Sequence, residues 1–438
     1  MVTQEESNNK IEIILDPVII DDIDLSFKDA MGILLKVKSP FYVKKATIDL
    51  TNYEIHVHIS YDKVTTFTSP CCQEENCKIH NKAPRIWRAL DLLEYKTILH
   101  LDQPNIKCPN CGKKAAYLVD WARPQCGLTI KFEQRAIANC KTMTFVDAAF
   151  CLGETDKRLA STVYKAVQKA RLTLNWKDIK AIGIDETSRA KGHNYISVFV
   201  DLYSRNVLFI ADGKDASVFD QFCEELKRNH GNPSKIIYLA MDMSVAFISG
   251  AETFLPNADI IFDKFHVIKL MNEAIDKIRR QESLENPILR GTRYIWLHNP
   301  ENLNKKQREQ LIHLSKRNLK TGRAYRYKLE LQKIYAEADN YQEAEFGFNK
   351  LISWGTRSRL EPLENFAKTL KAHLDGILNH FDNFITSGVI EGLNSKIQEI
   401  KRRARGFPNT DNFKNMIYLH LGGLKIPKLY KTGEPYDF

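Results

Sequence analysis

Apolar and polar side chains partly alternate through residues 46–60, ATIDLTNYEIHVHIS, the pattern of a strand with one face in solvent. The rhythm changes across residues 133–175, where apolar positions recur every three or four and predict helices on either side of Gly153. Five apolar runs too short for helices follow, at residues 179–184, 195–202, 207–211, 236–241 and 260–262. Tyr203-Ser204-Arg205-Asn206 joins the second run to the third as a hairpin loop, and residues 217–229 predict an amphipathic helix. Beyond His266 the sequence is highly charged and helix-favouring, with Leu, Ile, Tyr and Trp spaced by three and four. A last helix begins near Ser387 and carries Glu391 into a basic run. Strands alternating with helices predict an α/β core with something helical inserted into it.

These patterns predict an N-terminal strand region over 1–65, a cysteine-rich domain over 66–120 and a helix pair over 130–176. The core then falls in two parts, 177–266 and 386–425, around a helical insertion at 267–385, with a tail at 426–438.

Composition narrows the setting. No stretch approaches the roughly 18 consecutive apolar residues of a membrane span. The opening MVTQEESNNK is polar and partly acidic, unlike a secretory signal, so a soluble, cytoplasmic protein without a membrane partner is expected. The net charge of +10 is modest for 438 residues, but Lys396, Lys401, Arg402, Arg403 and Arg405 crowd into ten positions. That concentration points to nucleic acid, with these five side chains as candidate phosphate contacts.

Nine scattered cysteines argue against a disulfide framework, yet five of them fall between positions 71 and 111. Cys108-Pro-Asn-Cys111-Gly is half of a zinc ribbon: two thiolates at that spacing share one tetrahedral Zn²⁺, and the glycine permits the tight turn. Upstream, Cys71, Cys72, Cys77 and His80 offer four candidates for two places. Cys72 and Cys77 are the favoured pair, making a structural Zn²⁺ site with Cys108 and Cys111 that leaves no open position for chemistry.

The helices around Gly153 have the proportions of a helix-turn-helix, whose second helix would present Arg158, Ser161, Thr162 and Lys165 to DNA. Two of the apolar strands, Ile182-Gly183-Ile184 and Tyr238-Leu239-Ala240-Met241, each end in an aspartate, Asp185 and Asp242. Singly, a strand-terminal Asp is an ordinary turn former or helix cap. A pair on adjacent strands with one acid from a helix can clamp two hard divalent cations, which suits in-line attack on phosphorus.

From these residues the chain resembles the ISL-three family of insertion-sequence transposases. The carrying motifs are Gly183-Ile184-Asp185-Glu186, Ala240-Met241-Asp242-Met243-Ser244, Phe262-Asp263-Lys264-Phe265-His266-Val267, and Gly388 to Ile397 running on to Phe407. The resemblance implies an RNase H-like core preceded by a zinc ribbon and a helix-turn-helix. It implies Asp185, Asp242 and Glu391 as the catalytic triad holding Mg²⁺ or Mn²⁺, and His266 near the scissile phosphate through an Asp-x-x-His motif. Double-stranded DNA would be the partner, both terminal inverted repeats and target, engaged by a homo-oligomer at a bacterial nucleoid. Glu186, Asp201 and Glu399 are competing acids near these motifs, of which Glu186 and Asp201 read as structural. A catalytically silent zinc-containing regulator descended from a transposase is the second reading, and a plain RNase H-like nuclease the third.

Overall fold

A computed structural model of the protein describes residues 25–188, 195–382 and 388–426, which divide into two compact units, one ending at Arg135 and the other starting at Ala136. Among the described residues no helix is long and apolar enough to cross a membrane.

The first unit opens with α1 (Phe27–Leu34) and continues as β1 (Phe41–Asp49), β2 (Glu54–Tyr61), β3 (Ile79–Arg88), β4 (Lys96–Lys107) and β5 (Lys114–Ala116). They form one sheet in the order β1-β2-β4-β3, with β5 on β4; only β2 and β4 run parallel. Sequence alternation suggested a single strand over 46–60. The chain instead folds back on itself there, because Asp49 accepts hydrogen bonds from the backbone N–H of Thr51 (2.9 Å) and Asn52 (3.0 Å) and closes a turn. No Gly or Pro marks the turn; Tyr53 takes the left-handed conformation. Ile55, Val57, Phe67, Trp87, Leu99 and Trp121 pack one face of the sheet into a core. The strand region and the cysteine-rich segment therefore share one sheet and one core.

The second unit contains α2 (Ile130–Thr142), α3 (Phe145–Leu152) and α4 (Asp156–Arg171), with the unit boundary inside α2. Thr144 and Thr155 cap α3 and α4 by accepting from the N–H of Asp147 (3.0 Å) and Arg158 (3.3 Å). Next come β6 (Ala181–Ser188), β7 (Tyr195–Asp201), β8 (Val207–Asp212), α5 (Ser217–Arg228), β9 (Tyr238–Met241), α6 (Val245–Phe254) and β10 (Asp259–Phe262). The sheet order is β10-β9-β6-β7-β8. β6, β7 and β8 form an antiparallel meander, while β9 and β10 add in parallel on the other side of β6. Asp201 closes the β7–β8 loop by accepting from the N–H of Tyr203 and Ser204, the structural part expected of it. The apolar stripe of α5, Val218, Phe219, Phe222 and Leu226, is fully buried, and Phe222 stacks on Phe199 of β7 at 4.3 Å.

Residues after β10 are helical: α7 (Lys264–Glu285), α8 (Arg293–Leu297), α9 (Lys305–Ser315), α10 (Lys320–Glu337), α11 (Tyr341–Thr356), α12 (Glu361–Ala372) and α13 (Leu374–Asp382). Their aromatics, Trp296, Tyr327 and Phe348 among them, join the hydrophobic core of the sheet. Glu282 of α7 is buried and caps α10 from a distance, accepting from the N–H of Lys320 (2.8 Å) and Thr321 (2.7 Å). Then α13 returns to the sheet, where Asn379 donates to the Ile260 carbonyl (2.9 Å).

Two last helices, α14 (Gly388–Arg403) and α15 (Thr410–Leu421), complete the unit; a start near Ser387 lies outside the described residues. Gly183 of β6 lets α14 approach: a Cβ there would stand 2.6 Å from Ile390 Cδ1 and 2.9 Å from its Cγ1. Gly183→Ala should therefore cost about 1–3 kcal/mol by overpacking, and adding Ile390→Ala should leave the pair less destabilised than the two single losses summed. Urea unfolding of the four proteins in that cycle measures it; simple additivity would mean the two residues do not meet.

Candidate functional site

Strand register sets the acids in a row. β6 and β9 pair as Ile182 with Leu239 and Gly183 with Ala240, and β9 and β10 pair as Met241 with Phe262. Continuing both registers puts Asp185 beside Asp242, and Asp242 beside Asp263, at the carboxyl edge of the parallel part of the sheet, β6 itself running on to Ser188 against β7. That edge is where open α/β sheets take ligands. Two of the three also do the ordinary work of a strand-terminal Asp. Asp242 accepts from the Ser244 N–H (3.0 Å), and Asp263 caps α7 by accepting from the Phe265 N–H (2.8 Å).

Asp185 differs, being largely buried, and burial pushes its carboxyl up to about 6. The Glu186 N–H, the His266 charge and the Asn394 amide oppose that rise, while the neighbouring Asp242 adds to it. Asn394 of α14 donates from Nδ2 to Asp185 and accepts at Oδ1 from Thr187 (3.1 Å), so the helix is pinned to β6 through the acid itself. Glu391 lies one turn earlier on α14, and its carboxyl is raised by burial and by the charge of Asp263, with His266 opposing. His266 stands 3.3 Å from Asp263 through Nδ1, in an ion-pair contact rather than a well-aligned hydrogen bond. That contact raises the His266 pKa against the effect of burial, helped by the charges of Asp263, Asp185 and Asp242.

The structure thus brings Asp185, Asp242, Asp263, His266 and Glu391 into one electrostatic neighbourhood. Among the described residues only the cysteines discussed below hold all their ligand atoms within 4.8 Å of one another. The acids stand in a row along adjacent strands, a hard-oxygen donor set of the kind that suits divalent cations. Asn394 was missed from sequence. The available signal was its place three residues after Glu391, on the same side of a helix.

Not every predicted contact faces outward. Lys401 donates to the Ser188 carbonyl (2.6 Å) and Arg403 to the Lys141 carbonyl (2.6 Å), tying α14 to its neighbours. Lys396, Arg402 and Arg405 are exposed, although Arg405 lies beyond the end of α14 instead of continuing it. Glu399 pairs with Arg403 at 3.5 Å, and Glu186 with Lys214 at 3.7 Å. On α4, Ser161 and Lys165 are exposed and Arg158 is paired with Glu154 at 2.9 Å. Thr162 is buried, with its hydroxyl on the Arg158 carbonyl (2.9 Å), so it does not face outward as expected; Tyr164 occupies the exposed side instead.

In the first unit the sulfurs of Cys71, Cys72, Cys108 and Cys111 converge. Cys71 and Cys111 are 3.1 Å apart, Cys72 and Cys108 3.1 Å, Cys71 and Cys72 3.8 Å, and Cys72 and Cys111 3.9 Å. Four thiolates about 2.3 Å from one Zn²⁺ stand roughly 3.8 Å apart, so the set fits that ion with a small expansion. The expectation of Cys77 as a ligand is corrected here: Cys71 takes its place. Cys77 is buried, its backbone pairs with Phe67, and its sulfur lies against the Glu74 carbonyl (3.3 Å). Burial raises the Cys77 thiol, whereas the Cys111 backbone N–H lowers Cys108 to about 6 and favours its thiolate. Gly112, at φ 69°, makes the knuckle's turn.

A mixed sheet with acids at its carboxyl edge, a helical insertion before the last acid and a separate four-cysteine cluster together define a nucleic-acid-acting enzyme of the DDE transposase class. Residues 182–417 match the ISL3 family of DDE transposases, described as a transposase, and residues 68–111 match the zinc finger of the IS204/IS1001/IS1096/IS1165 transposases. The chain is 28% identical over 348 residues to the transposase for insertion sequence element IS1001 of Bordetella parapertussis, covering 77% of this chain and 84% of that one. It is 26% identical over 371 residues to the transposase for insertion sequence element IS1557 of Mycobacterium tuberculosis, covering 77% and 82%. The chain belongs to the ISL3 transposase family and is a DNA transposase.

Proposed function

We propose that Asp185, Asp242 and Glu391 are the metal-binding catalytic acids of this transposase, acting on the ends of its insertion element with Mg²⁺ or Mn²⁺. The observation that carries this reading is the common level of Asp185 and Asp242 on adjacent parallel strands, with α14 fastened to Asp185 through Asn394. Divalent cations, when bound, would stabilise the attacking and leaving oxygens of an in-line displacement. The protein's own residues hold the rest. Asn394 fixes the rotamer of Asp185, Ile390 seats the helix on Gly183, and Asp263 holds His266 beside the acids, where its ring can face the phosphate. Catalysis is then mostly positioning and charge stabilisation.

The strand order and the antiparallel meander support an RNase H-like core. The capped helices α3 and α4 support a helix-turn-helix, with Ser161, Tyr164 and Lys165 on its exposed side. The zinc knuckle and this helix pair would recognise terminal inverted repeats, and the freed 3′-OH would attack target DNA. Joining two ends calls for at least a dimer on DNA.

Mg²⁺-dependent cleavage of a duplex carrying the element's end tests the proposal, with Glu391→Gln beside the wild type. Cleavage at a discrete terminal position, reduced at least about 100-fold in the variant, is expected. Equal cleavage by both proteins would remove Glu391 from the triad. Binding without cleavage by either would favour a silent regulator.

A further inference from the structure

Along β2 the alternation turns Ile55, Val57 and Ile59 into the core of the first unit and leaves Glu54, His56 and His58 on the opposite face. β4 buries Leu99 and Leu101 in the same way, and its parallel register with β2 sets His100 beside His58. Three imidazoles and a carboxylate thereby share one patch of sheet surface. The rings of His58 and His100 stack with centroids 4.6 Å apart and planes 17° from parallel. His56 Nδ1 lies 3.0 Å from His100 Nε2, and His56 Nε2 lies 3.2 Å from Glu54 Oε2.

A carboxylate carries no proton to donate, so the negative charge of Glu54 within ion-pair distance of Nε2 favours the tautomer of His56 with its proton there and a lone pair on Nδ1. That lone pair faces His100 Nε2. An imidazole with one nitrogen on a carboxylate and the other free is the arrangement that orients metal-ligating histidines. The separation fits as well: two nitrogens at about 2.0–2.1 Å from one ion stand roughly 2.9–3.4 Å apart, for angles from square to tetrahedral.

We propose that His56 Nδ1 and His100 Nε2 form a second metal site, for a borderline divalent ion such as Zn²⁺ or Ni²⁺, oriented by Glu54 and separate from the cysteine cluster. On binding, His100 exchanges its ring proton from Nε2 to Nδ1 through solvent, so both nitrogens offer lone pairs with no net change in protonation. His58, stacked on His100, holds that ring's plane. The ion ties β2 to β4, the parallel contact of a sheet that is otherwise antiparallel.

Calorimetric titration with Ni²⁺ of the full chain, stripped of excess zinc to the one equivalent held by the cysteine cluster, tests the site. The wild type is expected to take one further equivalent. His56→Gln and His100→Gln should each weaken that binding by more than about 100-fold, and Glu54→Gln by about 10–100-fold, the range for an orienting partner. His80→Gln, an exposed histidine of β3 outside the patch, should match the wild type. All four variants should keep one zinc per chain and the wild-type far-ultraviolet dichroism, which separates loss of the site from loss of the fold. No second equivalent in the wild type, or unchanged Ni²⁺ affinity in His56→Gln, overturns the site; wild-type affinity in Glu54→Gln overturns the role of the carboxylate.

Discussion

Asp185→Asn should abolish strand cleavage and transfer while making the transposase harder to unfold. The two effects have one cause. Asp185 sits in a buried position that disfavours its ionised form, raising its carboxyl from the ordinary 3.8 to about 6. A carboxyl with a raised native-state pKa binds its proton more tightly folded than unfolded. Its contribution to stability is therefore present below pH 4, fades as pH rises toward 6, and is a net cost of ionisation above that. An uncharged, nearly isosteric amide escapes the cost but can accept only one of the two hydrogen bonds that the Glu186 N–H and the Asn394 amide donate to the carboxylate, so at pH 7 the variant should be more stable by a net of on the order of 1 kcal/mol. Near pH 4 that advantage should disappear. Activity should fall by about 1,000-fold or more, the upper range for losing one charge-stabilising group. Urea midpoints at pH 7 and pH 4, read beside a cleavage assay, check both halves. An inactive variant with wild-type stability at pH 7 would leave the acid in the site but refute the cost of its burial.

The second large effect concerns the zinc cluster. Cys71→Ser should lose zinc affinity by more than about 100-fold, beyond what an outer-shell partner alone contributes. Cys77→Ser should retain one zinc per chain. Sequence spacing favours Cys77 as the ligand, and the structure favours Cys71, so the pair of variants decides between them. Because metal binding and local folding are one equilibrium, the Cys71 variant should also lose hydrogen-exchange protection around Phe67–Cys77 and Cys108–Lys113, whose backbone bonds close the two knuckles. The sheet should persist, since Trp87, Phe41 and Leu99 pack a core that needs no metal. Zinc measured by inductively coupled plasma spectrometry is the direct readout; a zinc-free Cys77 variant beside a zinc-replete Cys71 variant would reverse the assignment.

What the sequence disclosed follows from how local each signal is. Asp185 and Asp242 are legible because each ends an apolar run, but their adjacency is not local: β7, β8 and α5 separate β6 from β9 in the chain, and only the sheet order sets the two side by side. The turn between β1 and β2 was not, because an Asp49 side chain and a left-handed Tyr53 make it without Gly or Pro. Cys71 is one of four candidates in the sequence, and the spacing of five between Cys72 and Cys77 draws the choice away from it; in the structure the turn with Gln73 and Asn76 at positive φ follows Cys71 and Cys72, whose two sulfurs both join the cluster. Thr162, Lys401 and Arg403 look like DNA contacts in a basic, polar sequence, and their carbonyl partners come from tertiary structure alone or, for Thr162, from its own helix. Asn394 reads as a solvated helix residue until α14 is laid on β6.

The position of α14 also bears on the order of synthesis. The core of the first unit is drawn from residues between Met31 and Ala122, so all of it leaves the ribosome before any of the three acids proposed as catalytic. Glu391 comes 149 positions after Asp242, behind the whole helical insertion. For about half of its translation, from Arg171 to Glu391, the nascent chain thus carries its zinc knuckle and capped helices while lacking a complete set of acids. Products truncated before α14 would retain the parts proposed to recognise an element's ends and be unable to cut them, making premature termination a source of competitors rather than of partial enzymes.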